Sequence, residues 1–218
     1  MKPVSADSRT VVVVIHGLWM TGHEFGLLRR RVSRCGFTVR QFHYATVRKG
    51  YSENSQKLAT FLQTIDADRV HFVCHSLGCL LLRHAVNNHH DARYGNTVML
   101  GPPNQGSYVA DQLCKRAWGR FILGHSVANG LDGRIPPWPD HLPLGVIAGN
   151  LAMGAGRIFP GLPLPNDGTV AVRETMLANT TSHKALPISH TGMLFSKAAI
   201  REICHFLHHR QFTPDQNP

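Results

Sequence analysis

Ser76 lies in Cys74-His75-Ser76-Leu77-Gly78, between the apolar run Arg69 to Cys74 and a helical pattern that opens at Leu77. A serine in a strand-turn-helix is held in a tight, strained conformation that lifts its hydroxyl above the carboxyl edge of the sheet, as a nucleophile requires. The same turn sets the Leu77 N–H at a helix N-terminus, where it can receive a developing oxyanion. Gly78 supplies the small residue needed where helix and strand approach. A second donor is expected from His16-Gly17-Leu18-Trp19, which ends the run Val11 to Ile15. Gly17 allows a sharp turn that directs the Leu18 N–H toward the Ser76 hydroxyl. His16 itself reads as a hydrogen-bonded loop histidine, not as a base.

A general base and an acid should follow such a serine in the chain order Ser, Asp, His. Of fifteen histidines, His190 in Pro187-Ile188-Ser189-His190-Thr191-Gly192 falls just past the last strand pattern and before the last helix, at the carboxyl edge. His183 precedes that strand and belongs near the opposite edge, and His205, His208 and His209 lie on or beyond a helix. For the acid, Asp167 in Pro165-Asn166-Asp167-Gly168 follows the strand Leu144 to Ala148, whereas Asp140 precedes it. Asp132 is further back in the chain. Asp-Gly is also an ordinary turn signal, so this choice rests on edge and order.

The elements that must position these residues alternate. Strand patterns at Val11–Ile15, Phe37–Tyr44, Arg69–Cys74, Asn96–Leu100, Leu144–Ala148 and Ala185–Ile188 are separated by helical patterns at Glu24–Arg34, Ser55–Ile65 and Leu77–Val86, and a last helix runs from Ser196, its N-cap, to His208. Continuous β-branched runs such as Val11–Ile15 are expected in strands buried on both faces. The alternation therefore predicts an α/β fold with a mostly parallel sheet covered on both sides. Two stretches break the rhythm: 101–143, with Ser107 to Trp118 as a crossover helix, and the Gly/Pro-rich 149–166. Loops of this length usually form lids or pocket walls. One domain over 1–218 with those two stretches as a cap is the expected organisation.

The 218 residues carry 23 Lys+Arg against 13 Asp+Glu, a formal net charge of +10. The densest cluster, Arg29-Arg30-Arg31 with Arg34, reads as a solvated helix face, and the remaining cations are scattered, so a nucleic-acid partner is not expected. Transient contact with an anionic membrane surface stays open on charge alone. Hydrophobic residues make up 43% and charged residues 17%, which excludes a disordered chain. The five cysteines are odd in number and form no metal-ligand spacing. Free thiols, a reducing compartment and a cytoplasmic location are therefore expected, and the chain as given has no apolar leader before Val11. Neither a metal nor an organic cofactor is implied. Oligomeric state leaves no signal.

Together His16-Gly17, His75-Ser76-Leu77-Gly78, Asn166-Asp167-Gly168 and His190-Thr191-Gly192-Met193-Leu194 resemble the α/β-hydrolase superfamily, and within it the small bacterial lipases and esterases. Gly101-Pro102-Pro103-Asn104-Gln105-Gly106-Ser107 looks like the stretch after the sixth strand of those lipases. The resemblance covers roughly Val11 to Leu207. It implies an α/β-hydrolase fold, with Ser76 as nucleophile, His190 as base, Asp167 as orienting acid, and Leu18 and Leu77 as oxyanion donors. Cys74 and Cys79 stand where many such lipases have glycine. The substrate class implied is a small or lipid-like acyl ester. A thioesterase or amidase on the same residues is the alternative. A non-catalytic lipid- or partner-binding homologue is another, and the complete, ordered set speaks against it. The expected cap supplies Trp118, Phe121, Ile122, Leu123, Trp138, Leu151, Met153, Ile158, Phe159 and Leu162 as an apolar roof over Ser76, with its charges facing water.

Overall fold

The computed structural model describes residues 9–126, 130–153 and 161–214. Six strands form one sheet: β1 Thr10–Ile15, β2 Thr38–Phe42, β3 Arg69–His75, β4 Tyr94–Leu100, β5 Leu144–Gly149 and β6 Ser182–Leu186. Their order is β2-β1-β3-β4-β5-β6, and every neighbouring pair is parallel. This is the α/β-hydrolase architecture expected from the strand and helix alternation.

The all-apolar β1 follows from two-sided burial. Val11, Val13 and Ile15 pack toward α2 (Tyr51–Gln63) and α3 (Leu77–Asn88) through Leu58, Leu62, Leu80 and Leu81. Val12 and Val14 pack on the other face with Leu28 and Val32 of α1 (Gly26–Ser33) and Ala199, Ile203 and Phe206 of α6 (Lys197–His209). A strand with both faces covered has no polar period, and each fully buried Val contributes ~1.5–3 kcal/mol. Ser196 caps α6 as expected, its hydroxyl accepting from Ala199 N at 3.2 Å.

The order in which parallel strands are added reverses at β1, with β2 on one side of it and β3 on the other. The carboxyl ends of β1 and β3 therefore splay their following loops apart, which makes the crevice where open parallel sheets bind ligands. His16-Gly17 leaves β1 there and Ser76 leaves β3.

Element bounds differ from the sequence reading mainly where tertiary contacts decide. α2 starts a turn earlier, and β6 begins at Ser182, three residues before the expected strand. The crossover helix expected over Ser107–Trp118 is instead two short helices, α4 (Tyr108–Cys114) and α5 (Ala117–Leu123). Any side chain at Gly119 would strike the Leu113 carbonyl, so α5 folds tightly back on the end of α4.

The expectation of five free thiols is corrected. Cys35, just past α1, and Cys204 on α6 form a disulfide with Cα atoms 6.1 Å apart, and Cys74, Cys79 and Cys114 are free. Two cysteines 169 residues apart have no spacing signal; only the packing of α1 beside α6 brings them together.

His71 on β3 sits at a register shift between β3 and β4, where its Nδ1 accepts the Asn96 N–H at 2.8 Å. Burial first, then the Arg69, His208 and Arg210 charges, lower its pKa to about 4. Burial likewise lowers His16, His75, His84 and His183. Between the unfolded value of 6.5 and about 4, the unfolded chain takes up protons that the folded chain refuses. Stability from His71 is thus complete above pH ~6.5 and lost as pH falls toward ~4, to the extent of roughly 3 kcal/mol. Urea midpoints measured from pH 7 to 4 should fall through this window. His71→Gln should flatten the fall; an unchanged slope in that variant would remove His71 as its source.

Candidate active site

Ser76 has φ 53° and ψ −124°, a left-handed backbone that a non-glycine residue adopts only when its surroundings enforce it. They do so closely here. A Cβ on Gly78 would come within 2.5 Å of the His16 carbonyl and 2.8 Å of that of Ile15. Ser76 N donates to Leu100 O at 2.9 Å, which ties the turn to β4. Cys74 and Cys79, on either side of the turn, are fully buried. The Leu77 N–H is the first amide of α3.

Gly17 lies directly against this turn, since a Cβ there would be 3.1 Å from Ser76 Cβ and 2.9 Å from His75 Nδ1. His16 is buried and acts as the loop fastener expected of it. Its Nδ1–H donates to Gly17 O at 3.0 Å, its Nε2 accepts from Tyr44 N at 3.4 Å, and the Tyr44 hydroxyl donates back to His16 O at 3.0 Å. In a trans peptide the carbonyl of one residue and the N–H of the next point opposite ways. Holding the Gly17 carbonyl toward His16 therefore turns the Leu18 N–H to the other side of the loop.

His190 and Asp167 meet 23 residues apart. His190 Nδ1 lies 2.6 Å from Asp167 Oδ2, and His190 N donates to Asp167 O at 2.9 Å, so backbone and side chain are fixed together. Asp167 is 0% exposed and His190 8%. The other carboxylate oxygen, Oδ1, accepts from Thr169 N at 2.9 Å and Val170 N at 2.7 Å. Asn166 shapes this turn by accepting from Gly168 N at 2.9 Å. Gly101, with φ +53°, passes under the pair; a Cβ there would be 2.9 Å from His190 Nδ1 and 3.1 Å from Asp167 Oδ2. Asp140 is elsewhere, before β5, accepting from the Asn179 side chain. Asp132 pairs with Arg134 at 2.7 Å.

Three residues contribute that the sequence reading missed. His75 lies beside His190 with ring centroids 4.6 Å apart and the planes tilted by 47°, and its Nε2–H donates to His190 O at 3.1 Å. Burial, and then the His190 ring, hold His75 well below the ordinary histidine range, so His75 stays neutral and its Nε2–H holds the His190 backbone in place. Glu174 is buried and accepts from Ala171 N and Tyr108 N, each at 2.7 Å, joining the Asp167 turn to the start of α4. Arg83 donates to Pro136 O at 2.6 Å and to the Asn104 side chain at 3.1 Å, which fastens the 101–143 stretch to α3. Arg83 lies in the apolar run Leu80–Val86, so burial of its face is legible there, but its partners Asn104 and Pro136, like the Tyr108 partner of Glu174, are distant in sequence.

The apolar roof expected over Ser76 is corrected in part. Trp138 is 1% exposed and belongs to the core, its indole N–H donating to Leu142 O at 2.8 Å, and Leu123 is in the same core. Trp118, Phe121 and Ile122 face outward. Leu151 and Met153 are exposed near the Asp167 turn, and Leu162 packs partly on the core. Ile158 and Phe159 lie outside the described residues. A cavity of about 400 Å³ between the Gln105–Tyr108 segment, Leu131 and Glu174 touches none of Ser76, Asp167 and His190. Among the described residues there is no cluster of His, Cys, Asp or Glu able to hold a metal ion, and no helix is long and apolar enough to cross a membrane.

A family profile described as Alpha/beta hydrolase family matches residues 12–202. The chain belongs to that family. Solved structures agree in fold. The mature lipase BlEst2 of Bacillus licheniformis superposes with a TM-score of 0.74 at 19% identity, over 88% of this chain and 90% of that one. The metagenomic carboxyl esterase MGS0156 gives a TM-score of 0.65 at 16% identity, over 87% and 68%. A lipase-esterase related protein from Clostridium acetobutylicum ATCC 824 gives 0.63 at 8% identity, over 93% and 94%. No curated protein matches the chain significantly. This alpha/beta hydrolase thus shares its fold with lipases and esterases.

Proposed function

We propose that this alpha/beta hydrolase is a serine hydrolase of carboxylic esters, with Ser76 as nucleophile, His190 as base and Asp167 as orienting acid. The observation that carries it is the buried 2.6 Å contact between His190 Nδ1 and Asp167 Oδ2 at the same sheet edge as the strained Ser76. Asp167 keeps Nδ1 protonated, which leaves Nε2 free to accept the Ser76 proton as Oγ adds to the ester carbonyl carbon. Negative charge then grows on the former carbonyl oxygen, and the Leu18 and Leu77 N–H groups receive it; one such donor is worth ~10²–10³ in rate. Collapse expels the alcohol with the proton from Nε2 and leaves an acyl-Ser76 ester. Water, deprotonated by the same Nε2, attacks that ester and releases the acid. No step calls for a metal or an organic cofactor. A thioester or amide would follow the same steps with another leaving group.

The disulfide favours an oxidising compartment over the cytoplasm that five free thiols implied. Labelling by a fluorophosphonate probe, with the adduct mapped to Ser76 by peptide mass spectrometry, is the direct test; an unlabelled or differently labelled chain refutes the reading.

The acyl side should be apolar, because Leu18, Leu151 and Met153 are the side chains presented beside the oxyanion loop and the acid turn. Each methylene buried is worth ~0.8 kcal/mol, so two more carbons should raise kcat/KM about tenfold until the groove is filled. p-Nitrophenyl butyrate to octanoate should accordingly be turned over better than acetate. A steady fall from acetate to octanoate would deny the groove.

A further inference from the structure

α5 places its largest apolar side chains in solvent. Gly119 and Leu123 face inward, whereas Trp118, Phe121 and Ile122 are 51%, 87% and 40% exposed. Lys115, Arg116 and Arg120 are exposed alongside them, with the Arg116 guanidinium 5.7 Å from the Trp118 ring. No acidic residue occurs from Gln112 to Ser126.

This side of α5 is held outward. Gly119 abuts the Leu113 carbonyl, and a Cβ on Gly124 would be 2.7 Å from Val47 O. His125 N donates to Val47 O at 3.0 Å, and the Trp19 indole N–H donates to Ile122 O at 3.2 Å. Trp19 adjoins Leu18, so the exposed side of α5 borders the oxyanion loop.

We propose that this face docks the protein on an anionic lipid surface. Aromatic and branched side chains on one helix, flanked by cations, suit a helix lying in the plane of a membrane interface. The three cations have no neighbouring acids in the segment, and the negative potential of an anionic leaflet accepts all of them at once. The net charge of +10 adds to the attraction at longer range. Docked in this way, the protein would turn the Ser76 edge toward ester lipids; that part rests on the hydrolase reading, while the docking itself does not.

Sedimentation with vesicles separates the two, using the Ser76→Ala protein so that no lipid is consumed. Binding is expected to vesicles of phosphatidylcholine with about a third phosphatidylglycerol, and not to phosphatidylcholine alone; each of Arg116→Gln and Arg120→Gln should weaken it about fivefold. Phe121→Glu should abolish binding, while in the otherwise wild-type chain it leaves turnover of soluble p-nitrophenyl butyrate unchanged. Equal binding to both vesicles, no binding to either, or binding unaffected by Phe121→Glu would overturn the proposal. So would a dimer, seen by light scattering, that Phe121→Glu dissociates, since a second copy would then be the occupant.

Discussion

Ser76→Ala is expected to leave a folded protein whose ester hydrolysis is ~10⁴-fold or more below wild type, because loss of the nucleophile removes the covalent route entirely. Folding should survive, since the strained φ of 53° is imposed by Gly17, Gly78 and the bond to Leu100 O, none of which involves the hydroxyl. Alanine keeps the Cβ already packed against Gly17. A purified variant that retained more than about a tenth of wild-type kcat would place the nucleophile elsewhere.

Asp167→Asn should lower kcat by ~10²–10⁴ with little change in Tm. Asparagine keeps the shape of the side chain and one oxygen for the Thr169 and Val170 N–H groups. Its amide nitrogen, however, would face His190 Nδ1 as a donor and force the proton to Nε2. A histidine protonated at Nε2 cannot accept from Ser76. Asp140→Asn, at a carboxylate engaged by Asn179 before β5, should change kcat less than twofold, within the ordinary spread of surface substitutions. Comparison of the two variants by steady-state kinetics, with thermal melts alongside, decides the acid. The reverse ranking would displace Asp167.

Much of the site was legible because its signals are local. The β1 run, the glycines at 17 and 78 and the edge on which each loop falls depend on neighbours within a few residues, and they led to Ser76, Asp167 and His190. The features that were not legible depend on distant contacts. The helix expected over Ser107–Trp118 breaks after Cys114, and α5 starts anew at Ala117 where Gly119 meets Leu113, a fold-back with no periodicity. Trp138 resembled a pocket wall because Pro-rich sequence surrounds it, yet the carbonyl of Leu142 satisfies its indole and lets it enter the core. Phe121 and Ile122 were expected to roof Ser76 because they fall in the long 101–143 stretch, and α5 instead exposes both. His75 stands in the Ser76 motif with no role of its own in the sequence reading; its contact with His190 requires the loop after β6 to arrive over it.

The bond between Cys35 and Cys204 closes most of the chain into a covalent ring. Ser76, Asp167 and His190 are all members of that ring. A single proteolytic cut anywhere between the two cysteines opens the ring without dividing the molecule, so Ser76 cannot diffuse away from Asp167 and His190. Only the ends outside the ring, the stretch through β1 and the chain beyond Cys204, can be released by one cleavage. His16 and Gly17 lie on the first of these, which leaves the loop after β1 as the part of the candidate site that one cut can detach.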